Sequence, residues 1–320
     1  MCIRMNFSNG RYNSYGEFLK EKFGHRIHKI PINAGFTCPN RDGTIATGGC
    51  SYCNIASFTP ETARARIPIR QQVAGSVDYL RGRFKSGAFI AYFQPYTNTY
   101  APLEHLQKIY EEALDHPEII GISIGTRPDC IDEAKLAYFE ELARDYFVTL
   151  EFGIESAHDR TLTEINRCHD FQCTIDAFKA AAGRGIYLCG HVIYGFPNEN
   201  RQDMFETTEA VAKLPVDFIK LHNLHIVRQT DLAQQYMNKP FHLHTFDEWI
   251  DFVCAVIQKL NPKFIIERLY GDAPKELLIE PRWSVEKSAA EVIYAVQQKL
   301  AVLDAWQGKH FMQELEKTNG

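Results

Sequence analysis

The sequence predicts an α/β chain built as a partial (β/α)6 barrel of the TIM type with a C-terminal α/β extension. Three observations carry that expectation. Short, mostly apolar runs alternate with longer amphipathic stretches, the pattern of parallel strands buried on both faces and joined by crossover helices. Polar-rich segments fall at the C-terminal ends of those runs, where the chemistry of (β/α) barrels gathers. The first such segment, FTCPNRDGTIATGGCSYCN at residues 36–54, holds three cysteines.

Residues 1–24 read as an N-terminal extension with a helical pattern at 15–23. Residues 26–36 (RIHKIPINAGF) alternate apolar and polar side chains and end at Gly35, a first strand feeding the cysteine loop. A helix follows at 69–85 and a strand at 88–94 (AFIAYFQ). The next helix, 102–116, places Leu103, Leu106, Ile109, Tyr110 and Ala113 at helical spacing. Residues 119–126 (IIGISIGT) form a third strand, and the helix at 132–146 opens on acidic residues. Then come a strand at 147–156 (FVTLEFGIES), one or two helices within 158–183, a strand at 187–197 (YLCGHVIYGFP), a helix at 201–214 and a sixth strand at 218–227 (FIKLHNLHIV).

Beyond Thr230 the pattern changes to helices at 231–238, 246–260 and 285–306, with a strand-like stretch at 263–270 (KFIIERLY). No flexible linker or repeat intervenes. The expected organisation is therefore an extension (1–24), a barrel core (25–230) and a C-terminal extension (231–320) packed on that core.

At 320 residues, 45% hydrophobic and 23% charged, the composition is that of an ordinary globular enzyme. A net charge of −5 argues against coating nucleic acid by bulk charge and leaves room for a local basic patch. Arg64, Arg66, Arg70, Arg81, Arg83 and Lys85, against Glu61 and Asp78, are the candidate, with a solvated helix face as the plainer explanation. Nine cysteines without framework spacing suit a reducing compartment. The N-terminus has no apolar signal core and no run approaches ~18 apolar residues, so a cytoplasmic protein without a membrane span is expected.

In the cysteine loop, Cys38 is followed by eleven residues, Cys50, two residues and Cys53. Three thiolates fill three of four positions around a metal or cluster. Pro39, Asn40, Asp42, Gly43, Gly48 and Gly49 suit the tight turns of a wrapping loop. Three readings fit. One is structural zinc closed by His25 or His28. The second is a redox pair of Cys50 and Cys53. The third is a [4Fe–4S] cluster with one iron open.

Further motifs bear on that choice: CPNRDGT and GGCSYCN at 38–54, YFQPYTNT at 92–99, GTRPDC at 125–130, INRCHDF at 165–171 and PRWSVEK at 281–287. Together they resemble the radical S-adenosylmethionine (SAM) superfamily. Within it they resemble the YhcC/YtqA (MnmL-type) family, close to the Elongator and coproporphyrinogen-dehydrogenase-like branch. The resemblance implies that Cys38, Cys50 and Cys53 hold a [4Fe–4S] cluster whose fourth iron is chelated by the amino and carboxylate groups of SAM. Reduction by a donor such as flavodoxin or ferredoxin would then cleave SAM to methionine and a 5′-deoxyadenosyl radical that abstracts hydrogen from substrate. It further implies that Tyr52 packs near the adenine, that Thr97, Glu155 and His191 contact SAM, and that Arg167 pairs with its carboxylate. Gln94-Pro95-Tyr96 replaces a glycine-rich stretch of that branch, and Gly125 stands where relatives carry an acid.

The implied substrate is tRNA, at the C5 side chain of the wobble uridine, converting carboxymethylaminomethyl to aminomethyl. A radical SAM enzyme for a small molecule such as a tetrapyrrole, or a non-catalytic iron–sulfur or zinc protein, are the alternatives. Glu151 and His222 are the substrate-side candidates. Glu151 and Glu155, four apart on a strand, share a face, for which a solvated or salt-bridged pair is the ordinary explanation. His222 and His225 have opposite strand parity, so a regular strand turns at most one of them inward. Tyr92, Tyr96 and Tyr100 can stack an unpaired base or pack in the core. Cys130, Cys173 and Cys189 are either buried structural thiols or ligands of a second cluster.

Overall fold

A computed structural model describes residues 7, 10–57, 67–84 and 87–311. The first helix, α1 (Tyr15–Phe23), ends at Gly24, whose left-handed backbone (φ 77°) turns its N–H back to the Lys20 carbonyl. Its Tyr15, Phe18 and Phe23 pack on Phe147, Tyr187 and Phe218, which begin three strands. This aromatic plug closes the N-terminal end of the sheet.

The chain then alternates as β1 (His28–Ile32), α2 (Ile69–Phe84), β2 (Phe89–Phe93), α3 (Leu103–Leu114), β3 (Ile119–Thr126), α4 (Glu133–Leu142) and β4 (Phe147–Glu155). It continues through α5 (Asp159–Glu164), α6 (Phe171–Ala181), β5 (Tyr187–Tyr194), α7 (Arg201–Val211) and β6 (Phe218–Asn223). Each strand pairs in parallel with its predecessor. The region read as one or two helices is two, because Asn166 and Cys168 take positive φ between α5 and α6.

After β6 come β7 (Ile226–Val227), α8 (Asp231–Asn238), α9 (Phe246–Lys259), β8 (Ile265–Arg268), β9 (Leu278–Glu280), α10 (Trp283–Glu286) and α11 (Ala289–Val302). Here the structure departs from the six-strand reading. β8, drawn from KFIIERLY, pairs in parallel with β6 and makes the sheet seven-stranded. The intervening α9 supplies the crossover that a parallel neighbour needs. It buries Trp249, Phe252, Val253, Val256 and Ile257, and starts on a Thr245–Glu248 capping box. At about 1.5–3 kcal/mol per fully buried large side chain, that face fixes the helix to the barrel.

Other boundaries differ as well: β1 is shorter than the 26–36 stretch, α4 ends at Leu142 and β5 at Tyr194. The sixth strand stops at Asn223 instead of Val227, because Leu224 N–H donates to Tyr194 O (2.9 Å) and Asn223 Oδ1 accepts from Gly271 N–H (3.0 Å). β7 then pairs antiparallel with β9 in a separate two-stranded sheet. The long C-terminal helix is broken at Lys287, and α11 restarts on a Ser288–Glu291 capping box. Among the described residues, no helix is long and apolar enough to cross a membrane.

Candidate active site

The cysteine loop leaves the C-terminal end of β1 and is tied down from both sides. Asn40, fully buried, donates from Nδ2 to the carbonyls of Asn166 (2.6 Å) and Arg167 (3.2 Å). Asn166 Nδ2 returns a bond to Gly49 O (2.8 Å), and Ser51 N–H donates to Ile165 O (2.9 Å). On the far side, Leu232 N–H reaches Ser51 O and Asn54 Nδ2 reaches Arg228 O. The loop is thereby held across the strand ends, with Cys38, Cys50 and Cys53 lining one cleft. Arg41 Nη2 donates to Cys53 O (2.6 Å), and Gly49 sits at φ 92°, a backbone conformation that favours glycine, with the Arg41 guanidinium lying over it. Burial, followed by the neighbouring Cys50, pushes the Cys53 thiol up to about 11.

Arg167 reaches the cleft through a defect in β4. The strand's register shifts between Gly153 and Glu155, and Glu155 sits at φ 64°. The Arg167 guanidinium fills the space a side chain at Gly153 would occupy, donating from Nη2 to Gly153 O at 2.6 Å and lying 3.5 Å from Glu155 Oε1. Its Nη1 is 3.8 Å from Cys50 Sγ. Arg127, clamped by Asp129 (2.7 and 2.8 Å), donates to Arg167 O. Arg167 Nε and Arg127 Nη1 are both buried without a hydrogen-bond partner among the described residues.

The barrel interior is polar where the strand pattern suggested apolar runs. Glu151, with no exposed side-chain surface, accepts from Lys29 (2.7 Å), Lys220 (2.5 Å), His191 Nε2 (2.8 Å) and the Ser123 hydroxyl. Lys29 and Lys220 also bridge to Glu267 (2.6 and 3.1 Å), and Lys220 donates to the Tyr92 hydroxyl (3.1 Å). Burial alone would raise the Glu151 pKa, but Lys220 and Lys29 outweigh it and hold the carboxyl well below its usual range. The bond to Glu151 places the His191 proton on Nε2. Burial and then Lys220 keep His191 below the ordinary imidazole range, hence neutral. The Glu151–Glu155 pair is therefore salt-bridged, and it is buried instead of solvated.

Tyr52, Thr97, Glu155, Arg167, His191, Glu151 and His222 all line the same cleft as the three cysteines. Tyr52 packs against Phe196 (6.0 Å between ring centres), and Thr97 is buried with its N–H on Thr37 O. His225 lines the cleft beside His222, which corrects the parity expectation. β6 has ended at Asn223, so strand alternation no longer governs position 225. Tyr92 and Tyr96 line the cleft, whereas Tyr100 donates to the Thr44 hydroxyl at 2.7 Å.

Other expectations do not come together. His25 bonds to Phe23 O and His28 stacks on Phe84 (4.6 Å), both at the N-terminal end of β1, the opposite end from the cysteine loop. Neither is placed to complete a zinc shell. Cys189 lies in the interior near Glu267, away from Cys130 and Cys173 at the strand ends, so the three make no second cluster. Of the proposed basic patch, Glu61, Arg64, Arg66 and Lys85 lie outside the described residues, while Arg70 pairs with Asp115 and Arg81 with Asp78 and Glu118. Sequence reasoning gave Asn40 only a turn role and gave none to Arg41, Arg127, Lys29, Lys220 or Glu267. Charged residues inside short apolar strands were the available signal for the last three.

The donor set fits an iron–sulfur cluster with a bound anion. Three thiols sit on one pinned loop, and two buried guanidinium nitrogens beside it lack partners among the described residues. With that geometry in place, comparison with known proteins gives a consistent result. The family model of the Radical SAM superfamily matches residues 38–211, and that of the Radical SAM C-terminal domain matches 216–301. YtqA of Bacillus subtilis (strain 168) is 38% identical over 307 residues, 96% of this chain and 94% of its own. The tRNA uridine(34) acetyltransferase of Methanocaldococcus infernus is 24% identical over 202 residues, 62% of this chain and 36% of its own. The solved structure of the archaeal Methanocaldococcus infernus Elp3 with an N-terminal deletion superposes with a TM-score of 0.67 at 13% identity, covering 88% of this chain and 64% of that one.

Proposed function

This chain belongs to the radical SAM superfamily, and on that premise we propose that it modifies tRNA at the C5 side chain of the wobble uridine, converting carboxymethylaminomethyl to aminomethyl. It is an enzyme whose cofactors are a [4Fe–4S] cluster and SAM. The observation that carries the substrate is the similarity to a relative that acts on uridine 34 of tRNA. That relative is much longer, and its acetyl transfer is not carried over.

Cys38, Cys50 and Cys53 are the cluster ligands in this reading. Arg167 offers its unpartnered Nε to the SAM carboxylate, a task suited to a rigid guanidinium. Tyr52, Thr97, Glu155 and His191 complete the SAM pocket. Held there, the cluster and SAM would supply reductive carbon–sulfur cleavage and so the radical chemistry. Glu151 acts as a positioning residue, since its carboxylate is enclosed by four partners and fixes the tautomer of His191. His222 stands on the substrate side. In this reading the electron comes from a donor such as flavodoxin or ferredoxin, and a cytoplasmic setting agrees with the cysteine content.

The test is anaerobic reconstitution and reduction with SAM, reading iron and 5′-deoxyadenosine with and without tRNA. Expected are about four irons per chain and product stimulated by tRNA bearing the carboxymethylaminomethyl group. SAM cleavage indifferent to tRNA would move the substrate to a small molecule such as a tetrapyrrole. Zinc in place of iron under strict anaerobiosis would overturn the reading.

A further inference from the structure

The edge of the cleft formed by β6 and β8 carries a pair of histidines with no assigned partner. His222 is the last residue but one of β6 and His225 lies just beyond its end, and both rings lie against Gly271, where a Cβ would come within 3.0 Å of His225 Cε1 and 3.3 Å of His222 Nδ1. Gly271 is itself fixed by its N–H to Asn223 Oδ1. The Nε2 atoms of both histidines are buried without a hydrogen-bond partner among the described residues. Leaving such an atom unsatisfied costs about 1–3 kcal/mol, and buried polar groups in native proteins nearly always have a partner, so two orphaned nitrogens lining one cleft call for one.

The charges around the pair cancel. Arg268 pairs with Asp272 (2.9 Å), and Lys29 and Lys220 pair with Glu151 and Glu267. Burial, then His191, Arg268 and Lys220, hold His222 well below the ordinary imidazole range, and burial lowers His225 to about 4. Both rings are therefore neutral at neutral pH, each with one N–H donor and one lone-pair acceptor. A charged group entering here finds no net countercharge. An uncharged group with a donor and an acceptor side by side finds both complements.

We infer that His222 and His225 together read the imide edge of a uracil ring, where the N3–H donor is flanked by carbonyl acceptors. The inference rests on the nucleic-acid reading above and deepens it by naming the recognition pair. Either ring can carry its proton on Nε2, so the signature of the pair is loss of binding when the N3–H is replaced by N3-methyl.

The experiment is a binding cycle on the reconstituted, SAM-loaded protein. Affinity is measured for an anticodon stem-loop RNA with uridine at the target position, for the same RNA with N3-methyluridine there, and for the free uridine and N3-methyluridine nucleosides. Wild type is compared with His222→Ala, His225→Ala and the double variant, each checked by thermal melting. N3-methylation is expected to weaken wild-type binding about tenfold, as loss of one buried hydrogen bond does, and the double variant less than twofold. Gly271→Ala, which keeps both rings but presses on them, is expected to lose most of the same discrimination. Equal losses in wild type and double variant, or none in a wild type that binds the RNA, would overturn the pair. If no RNA binds but uridine binds with histidine-dependent sensitivity to N3-methylation, the pair stands and the tRNA reading fails. If neither RNA nor nucleoside binds, both fail.

Discussion

Arg167 occupies the place of the side chain that Gly153 lacks: its Nη2 bonds Gly153 O at 2.6 Å, and a Cβ on Gly153 would lie equally close to that nitrogen. The β4 bulge and the arginine are one device. Gly153→Ala is expected to expel the guanidinium and weaken SAM binding by about 10–100-fold, the range for losing a hydrogen bond to a charged group. Iron content should stay at the wild-type level. Equilibrium dialysis with labelled SAM on the reconstituted variant measures this, and unchanged affinity would remove Arg167 from the SAM pocket.

Asn40 spans the cysteine loop and the segment after α5 through two carbonyls. Asn40→Ala leaves Asn166 O and Arg167 O without that donor and frees the loop. Release of iron to a chelator should accelerate several-fold while the far-ultraviolet spectrum is unchanged. Release at the wild-type rate would mean that the remaining loop bonds suffice.

Cys53→Ala should abolish 5′-deoxyadenosine formation and leave less than half the wild-type iron. The thermal transition of the metal-free protein should move little, because Cys53 lies on the loop and not in the main apolar core. Full activity in this variant would sink every cluster mechanism.

Lys220→Met strips one cation from a carboxylate with no exposed surface. Breaking one partner of a buried ion pair costs about 3–5 kcal/mol, and denaturant unfolding of the metal-free protein should show a loss of that order. A loss below ~1 kcal/mol would show that Lys29 alone neutralises Glu151.

Acid should destabilise the fold in two windows. His225 titrates near 4 when folded and near 6.5 when unfolded. Between those values the unfolded chain binds the extra proton, so stability falls as pH drops from about 6.5 to about 4. Glu151, whose folded pKa is depressed, contributes stability that is present above its unfolded value near 4.3 and is lost at lower pH. His225→Gln should make the upper window shallower in a series of melting curves, by the share that His225 holds beside His222, His191 and His169, and leave the lower one. An unchanged slope between pH 6.5 and 4 would contradict the burial of that ring.

The family, the fold class, the order of elements and the cysteine loop were legible in the sequence, because strand and helix periodicity and motif spacing are local properties. β3, α1 and α8 fall at the residues the pattern gives. KFIIERLY was legible as a strand but not as the seventh strand of the barrel sheet, because only the packing of α9 on the barrel lets it pair with β6. Nor was the end of β6, which depends on Tyr194 and Gly271, far away in sequence.

The sequence by itself determined which atoms are available: three thiols at a fixed spacing, an arginine twelve residues beyond Glu155, and histidines at the end of the sixth strand. The tertiary structure alone decided what those atoms do together. It enclosed Glu151 between lysines from β1 and β6, set Arg167 over a glycine through a bulge, and turned both His222 and His225 into one cleft. The reason is physical. Charge pairing, desolvation and unsatisfied hydrogen bonds act through space over a few ångströms, between residues that the chain keeps tens of positions apart.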